Sequence, residues 1–394
     1  MPAPVAAGRS QKVIVLEALT HHGLFTCVTA STTYNGVEKD RSMSGNKRIL
    51  VAMSGGVDSS TAAWLLQEEG LDVAGVFMSR VPVNGQGSEI SQATRARRVA
   101  EYLEIPFDVV DFSDAFELLM DFFCSEYLRG RTPNPCAVCN REIKFGRLLD
   151  LCQEKGFDAL ATGHYVRSGR TDSRWGLRRG SDRTKDQSYY LFGLSQEQLA
   201  RAVFPLGERT KEDVRALARK VGLPSAEAEE SQDICFVPEG DYPRLVRDRK
   251  GADVRPGDII DGSGNVVGRH EGIVDFTVGQ RRGVGVAVGE PVYVVDIDPR
   301  THRVVIGPVS DLLVGDFTVE SVNWVGVAPP REPFRCDVQV RYRSKPFPAA
   351  VTLAARFGVH VTADEPQRAV SPGQAAVFYR DDLVLGGGRI ARRT

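Results

Sequence analysis

Nowhere in these 394 residues is there an unbroken apolar run of the roughly 18 residues that would mark a membrane-crossing helix, so the chain is not a helical membrane protein. It also lacks an excess of charge of either sign. Fifty basic residues stand against 51 acidic ones, for a formal net charge of −1. That argues against a uniformly basic nucleic-acid coat and leaves room only for local patches. Cysteine is sparse and odd in number, the seven being Cys27, Cys124, Cys136, Cys139, Cys152, Cys235 and Cys336. Such a set makes no secreted-type disulfide framework. It suits a reducing cytoplasm, where spaced cysteines serve redox or metal chemistry. The first 46 residues lack a clean hydrophobic leader and a small-residue cleavage site, and Glu17, Glu38 and Asp40 make them a poor transit peptide. We read 1–46 as a disordered or non-native extension, with Met43 as a candidate start. Internal repeats and low-complexity tracts are absent as well. What remains is 42% hydrophobic and 26% charged, a soluble globular composition whose length suggests two or three domains.

From Arg48 the pattern sharpens. Apolar runs at 49–53, 72–79, 106–112 and 157–165 read as buried strands, and the segments 59–69, 91–103, 115–128 and 142–155 between them read as helices. Strands alternating with helices imply a parallel sheet with helices on its faces, and ligands then bind beyond the carboxyl ends of the strands. After Asp241 short strand-like runs (292–297, 304–306, 317–322, 336–342, 375–379) are separated by turn signals such as Asp261-Gly262-Ser263-Gly264-Asn265 and Pro372-Gly373. The expected fold is an α/β N-terminal domain over 47–240, a small mostly β central domain over 241–308 and a C-terminal β-barrel over 309–394.

Between the first strand and the first helix lies Ser54-Gly55-Gly56-Val57-Asp58-Ser59-Ser60. Two glycines let the backbone approach an anion, and the free N–H groups and dipole of the helix start attract phosphate. Serine hydroxyls add donors, and Asp58 could hold Mg²⁺ against the phosphates. The loop has no Gly-Lys-Ser/Thr ending and so is not a Walker A motif. It resembles the pyrophosphate loop of the N-type ATP pyrophosphatases, which split ATP between its α and β phosphates and use AMP to adenylate an oxygen.

Two cysteine segments narrow the field. One is Gly130-Arg131-Thr132-Pro133-Asn134-Pro135-Cys136-Ala137-Val138-Cys139-Asn140, at the expected start of a helix, where a thiolate is stabilised. Arg131, Arg141 and Lys144 add positive charge there. The other is Ser231-Gln232-Asp233-Ile234-Cys235-Phe236. Cys27, Cys124, Cys152 and Cys336 read instead as small hydrophobes. The stretch from Arg167 to Lys185 has seven basic residues against two acidic ones, and Arg129 to Arg147 has five against one, so two patches flank the site and suit an RNA backbone. His164 is a strand-end histidine that either orients the loop or acts as a base.

With Ala161–Tyr165 (ATGHY), Lys185–Leu191 (KDQSYYL), Gly279–Gly283 (GQRRG) and Val340–Arg343 (VRYR), these motifs make the chain resemble the tRNA-specific 2-thiouridylases from about Lys47 to Arg392. The resemblance implies an adenine nucleotide alpha hydrolase-like fold and ATP-dependent 2-thiolation of the wobble uridine in tRNAs for Lys, Glu and Gln. It implies ATP and Mg²⁺ as cofactors. The partners would be tRNA and an upstream sulfur donor, a cysteine desulfurase or a sulfur-relay protein, in the cytoplasm and with no membrane. Cys235 would carry a persulfide and Cys139 would be the partner nucleophile. Ala52, Met53, Ser54, Gly55, Gly56, Val57, Asp58, Ser59, Met78 and Gly163 match ATP-contacting positions. Asn134, Pro135 and Cys136 match the segment that meets the target base, and Lys185, Asp186, Gln187, Arg341 and Tyr342 match tRNA-contacting positions. Many family members carry Asp where this chain has Cys136. Cys136, Cys139 and Cys235 therefore form a candidate trio for a [4Fe–4S] cluster or for zinc. Two other readings stay open: an ATP-dependent synthetase of the same superfamily, for which no glutaminase-like segment is found, and an RNA-binding carrier of metal or sulfur without turnover.

Overall fold

The computed structural model describes residues 47–81, 88–171, 174–228, 234–237, 240–286, 289–354 and 358–392. The N-terminal extension, Cys27 and residues 231–233 lie outside them. In chain order the first region runs β1 (Arg48–Ala52), α1 (Val57–Glu68), β2 (Asp72–Ser79), α2 (Ser88–Tyr102), β3 (Phe107–Asp111) and α3 (Ser113–Leu128). It continues through α4 (Pro135–Val138), a π-helical stretch Cys139–Arg147, α5 (Leu148–Glu154), β4 (Ala159–Ala161), β5 (Val166–Thr171), β6 (Arg174–Arg179), α6 (Gln196–Ala200), β7 (Ala202–Val203) and α7 (Lys211–Lys220).

The central strand β1 has Ile49, Leu50 and Val51 fully enclosed, as expected of an apolar run covered on both faces. It pairs in parallel with β2 and β4, and the sheet order β3-β2-β1-β4-β7 is parallel throughout. Parallel neighbours need long crossovers, which the helices supply. The expected helix at 142–155 belongs to a longer helical run that starts at Pro135 and turns π-helical at Cys139, the second cysteine of the Cys-x-x-Cys.

The mostly β remainder opens on a helix, α8 (Tyr242–Lys250), which leans on α3 through Arg249, Glu117 and Asp121. β8 (Gly257–Ile260), β9 (Val266–His270), β10 (Tyr293–Asp298) and β11 (Arg303–Gly307) make a four-stranded sheet of order β10-β11-β8-β9. Then come β12 (Leu313–Trp324), β13 (Phe334–Gln339), β14 (Phe347–Ala354), β15 (Gly358–Arg368), β16 (Ala375–Arg380) and β17 (Leu383–Ile390). Pairing of β12 with both β15 and β17 closes these six into a barrel.

One element departs from the expected division. The basic stretch 166–179 is a hairpin of the N-terminal region, β5–β6, and β6 pairs with β17, so it extends the C-terminal sheet. The core follows suit. Leu50 and Val76 of the parallel sheet share one apolar cluster with Leu177 of the hairpin and Val377, Tyr379 and Val384 of the barrel.

Candidate active site

The phosphate loop sits where β1 ends and α1 begins. Gly55 holds a left-handed φ of +78°, and a Cβ there would come within 2.7 Å of the Gln92 carbonyl, so both conformation and space demand glycine. Gly56 is the N-cap of α1 and has no side chain to occupy the free N–H groups of the first turn. The Ser54 amide donates to the Ser59 hydroxyl at 3.1 Å, which folds the loop over the helix start. Gly163, at the end of β4, lies against the same turn: a Cβ there would meet Ser59 N at 2.8 Å. The ATGHY segment thus forms one wall of the candidate phosphate seat.

Asp58 is not a free metal ligand. The Lys211 ammonium donates to both of its oxygens, at 2.7 and 2.8 Å, and the Tyr165 hydroxyl donates to Oδ1 at 2.7 Å. Magnesium arriving with the nucleotide would have to compete with that ammonium. Lys211, at the first position of α7, is only 8% exposed and was not singled out by the sequence. The legible signal was the capping box of Thr210 and Asp213, which fixes where α7 begins.

The Cys-x-x-Cys opens the next helical run. The Asn134 side chain accepts from the Ala137 amide at 3.1 Å and caps the helix, with Pro135 as its first residue. Cys136 is half-buried and Cys139 is buried. The expected stabilisation of a thiolate by the helix start is outweighed. Burial pushes the Cys139 thiol up to about 11, the charges of Cys235 and Cys136 act in the same direction, and Lys144 and Arg80 only partly oppose it. Burial likewise raises Cys136, against Lys144. Cys235 is exposed, whereas its neighbours Ile234 and Phe236 pack inward, the Phe236 ring edge-on to Phe123 at 5.4 Å. Arg80, just past β2, donates to the Cys235 carbonyl.

The two cysteine segments are therefore neighbours: Cys235 acts electrostatically on both Cys136 and Cys139. They do not make a ligand set. Among the described residues, no group of three or more His, Cys, Asp or Glu side chains is placed to hold a metal ion, so the trio offers neither iron nor zinc a ready site. His164 is buried between Phe145 and Phe204, and its Nδ1 lies 2.7 Å from the Thr162 hydroxyl. Burial, then the Lys144 charge, holds its basicity well below the ordinary histidine range, so it is a neutral, orienting residue at pH 7.

The expected RNA-contacting residues separate into two kinds. Asp186 is buried and its carboxylate is consumed: it accepts from Gly180 N, Ser188 N and the Ser188 hydroxyl and pairs with Arg179 at 2.9 Å. It shapes the KDQSYYL segment and offers no surface to RNA. Gln187 is half-buried, and its Oε1 accepts from the Tyr165 amide at 2.9 Å. Arg341 donates to the Val278 carbonyl at 3.0 Å and the Ser371 hydroxyl at 2.8 Å, and Tyr342 packs on Tyr190 with ring centres 4.6 Å apart. The basic patch is also less free than its sequence suggests. Arg167 and Arg178 both pair with Asp382, and Arg179 stacks 3.6 Å over Tyr379 while donating to Gln339. These arginines fasten the hairpin to the barrel. Arg170 and Arg183 are exposed and make no ion pair among the described residues.

The second basic stretch has a similar hub. Glu126 of α3, 1% exposed, faces Arg129 at 3.0 Å, Arg131 at 3.5 Å and Arg389 of β17 at 3.4 Å, tying the cysteine loop to the barrel. Lys144 has no carboxylate partner among the described residues and is the cation whose charge acts most strongly on the two helix cysteines.

Three family models match the chain: a tRNA methyl transferase HUP domain over residues 47–239, a tRNA methyl transferase PRC-barrel domain over 249–308 and an aminomethyltransferase beta-barrel domain over 314–390. Curated relatives cover nearly their whole length. The tRNA-specific 2-thiouridylase MnmA of Carboxydothermus hydrogenoformans is 48% identical over 89% of this chain and 99% of its own. That of Chloroflexus aggregans is 51% identical over 87% of this chain and 98% of its own. That of Clostridium perfringens is 42% identical over 87% of this chain and 98% of its own.

Proposed function

The chain belongs to the tRNA-specific 2-thiouridylase family, and we propose on that premise that it replaces O2 of the wobble uridine of tRNAs for Lys, Glu and Gln with sulfur, at the expense of ATP. This reading is supported by three features that lie beyond the carboxyl ends of the parallel strands or pack against them. These are a phosphate seat at the start of α1, a buried thiol at Cys139 and an exposed thiol at Cys235 close enough to perturb it.

The chemistry needs each part. The C2 oxygen of uracil leaves poorly, so it first attacks the α-phosphate of ATP, which expels pyrophosphate and turns the oxygen into AMP. The N–H groups of the α1 start hold the phosphates during that displacement. Sulfur reaches Cys235 as a persulfide from a cysteine desulfurase or a sulfur-relay protein; exposure of this thiol supports loading by a protein donor. The Cys139 thiolate then attacks the inner sulfur of the persulfide. A Cys139–Cys235 disulfide forms, hydrosulfide leaves, and hydrosulfide displaces AMP from C2. An external dithiol reduces the disulfide. Cys139 must lose a proton to act, and Lys144 favours that loss, as does Arg80 more weakly. Magnesium travels with ATP. The reading places the enzyme in the cytoplasm; no helix among the described residues is long and apolar enough to cross a membrane.

Cys235→Ser separates this reading from an ATP-dependent synthetase. It should abolish 2-thiouridine in digested tRNA while leaving tRNA-dependent exchange of pyrophosphate into ATP. Retained thiolation would refute the persulfide role, and loss of exchange in the unmodified enzyme would favour a carrier without turnover.

A further inference from the structure

On the persulfide reading above, Cys139 is the attacking thiol. We propose that Glu126 is a positioning residue that sets where Cys139 stands, by joining the cysteine loop to the barrel through its buried carboxylate. The loop 130–134 leads into the helical run that carries Cys136 and Cys139, and it is held from two sides. On one side is α3. The Arg131 amide donates to the Glu126 carbonyl at 3.0 Å, and the Arg131 guanidinium reaches Glu126 Oε2 at 3.5 Å. On the other side is the barrel. The Thr132 amide donates to the Pro372 carbonyl at 2.8 Å, and Gly373, at a φ of +90°, lies so close that a Cβ there would come within 2.9 Å of Arg131 Cβ. Arg389 of β17 meets the same Glu126 Oε2 at 3.4 Å and Glu320 of β12 at 3.5 Å. One carboxylate oxygen is thus shared by an arginine of the loop and an arginine of the barrel, while Arg129 holds Oε1 at 3.0 Å.

Such a cluster is a poor device for stability. Glu126 is 1% exposed, and apolar side chains of like volume usually serve a core as well as a buried ion group does. What the cluster does fix is a geometry, because loop and barrel meet around one carboxylate. Pro133 and Pro135 have no N–H with which the segment could anchor itself. Beyond the loop, Asn134 caps the helical run, and Cys139 within that run is only 8% exposed. A thiol so enclosed has little freedom to seek its partner, and a displacement of about 1 Å lowers a rate by about 100-fold. The competing view is that the cluster only stabilises the fold.

Two measurements on the full chain distinguish these views. One is the single-turnover rate of thiolation by persulfide-loaded enzyme with saturating ATP, over a range of tRNA concentrations. The other is the equilibrium of the Cys139–Cys235 disulfide against glutathione in unloaded enzyme, which reads how well the two thiols are placed for each other. Glu126→Gln keeps the volume of the side chain. Arg131→Met cuts the loop's arm and Arg389→Met cuts the barrel's, and each leaves the carboxylate paired with two arginines, so the fold is kept. All three should lose about 10- to 100-fold in rate at saturating tRNA, with an unchanged half-saturating tRNA concentration and a disulfide equilibrium constant lowered by a similar factor. Arg131→Lys should recover most of the rate, because the contact is a single N–O pair that an ammonium also makes. A merely stabilising cluster would lower the urea midpoint and leave rate and disulfide equilibrium of the folded protein unchanged, and that result in either Met variant would overturn the proposal. If it appears while Cys139→Ser forms no product, only the Glu126 assignment falls. If Cys139→Ser thiolates as well as the unmodified enzyme, the persulfide reading falls and the assignment with it.

Discussion

Arg179→Ala sets the reading of the basic hairpin as a fastening against its reading as an RNA surface. In the fold Arg179 is nearly enclosed, with its side chain 13% exposed and its partner Asp186 5% exposed. The guanidinium pairs with Asp186 at 2.9 Å, donates to Gln339 of β13 at 2.9 Å and lies 3.6 Å over the Tyr379 ring of β16. Truncating one member of a buried ion pair costs about 3–5 kcal/mol, because the other charge stays buried. Stacking on Tyr379 and the bond to Gln339 would add about 2 and about 1 kcal/mol if they were independent of the pair. They are not independent, and Asp186 keeps three donors, from Gly180 and Ser188. A net loss of about 3–5 kcal/mol is therefore expected. Urea unfolding followed by far-UV circular dichroism measures it, with filter binding of tRNA over a range of salt concentrations at a temperature where the variant remains folded. The salt slope should stay at the unmodified value. A stability loss under about 1 kcal/mol together with a slope reduced by the equivalent of about one phosphate would refute the reasoning and return Arg179 to the RNA surface.

The complementary variant is Arg170→Ala/Arg183→Ala, at exposed arginines. Stability should be unchanged and the salt slope should fall by about 0.7–0.9 for each phosphate no longer neutralised, as read by the same filter assay. Alkylation of Cys139 by iodoacetamide should be slow at pH 7–8 and rise as pH approaches about 11, since burial favours the neutral thiol; peptide mass spectrometry reads the rate, and labelling as fast as a free thiol at pH 7 would contradict it. His164 has a depressed basicity in the fold, so the folded state binds fewer protons than the unfolded chain below the ordinary histidine range near pH 6.5. Its contribution is complete above that pH and is lost as pH falls below it. His164→Gln should flatten the stability profile there, by urea titration at several pH values. Gly163→Ala pushes a Cβ to within 2.8 Å of Ser59 N, so ATP affinity should fall at least tenfold in calorimetry, while a variant of unchanged affinity would detach the ATGHY wall from the phosphate seat.

Much of the α/β half was legible because its signals are local. The apolar run at β1, the paired glycines and the helix start needed no tertiary information, and the Cys-x-x-Cys segment was visible from its prolines and flanking charge, whereas Ser231–Phe236 was recognised by resemblance alone. What escaped was non-local. The segment 166–179 has an arginine-rich composition that reads as solvated charge, and only the position of Asp382, more than 200 residues away, turns Arg167 and Arg178 into fastenings. Asp186 looked like a surface residue because its donors belong to its own turn. The expected thiolate at the helix start failed for a similar reason: a cap is readable in sequence, whereas the burial that raises Cys139 is not. Strands β14 and β15 went unread because the sequence that joins them, Ala355-Arg356-Phe357, contains none of the Gly, Pro, Asn or Asp residues that punctuated the other hairpins.

In the proposed cycle sulfur leaves Cys235 by attack of Cys139. The direct test is a single turnover on tRNA with ATP, using enzyme loaded with labelled persulfide and given no reductant, followed by peptide mapping under non-reducing conditions. One labelled 2-thiouridine per enzyme and a Cys139–Cys235 disulfide are expected, with Cys139→Ser retaining its label on Cys235 and forming no product. Labelled product with both cysteines still reduced, or undiminished product from Cys139→Ser, would contradict it.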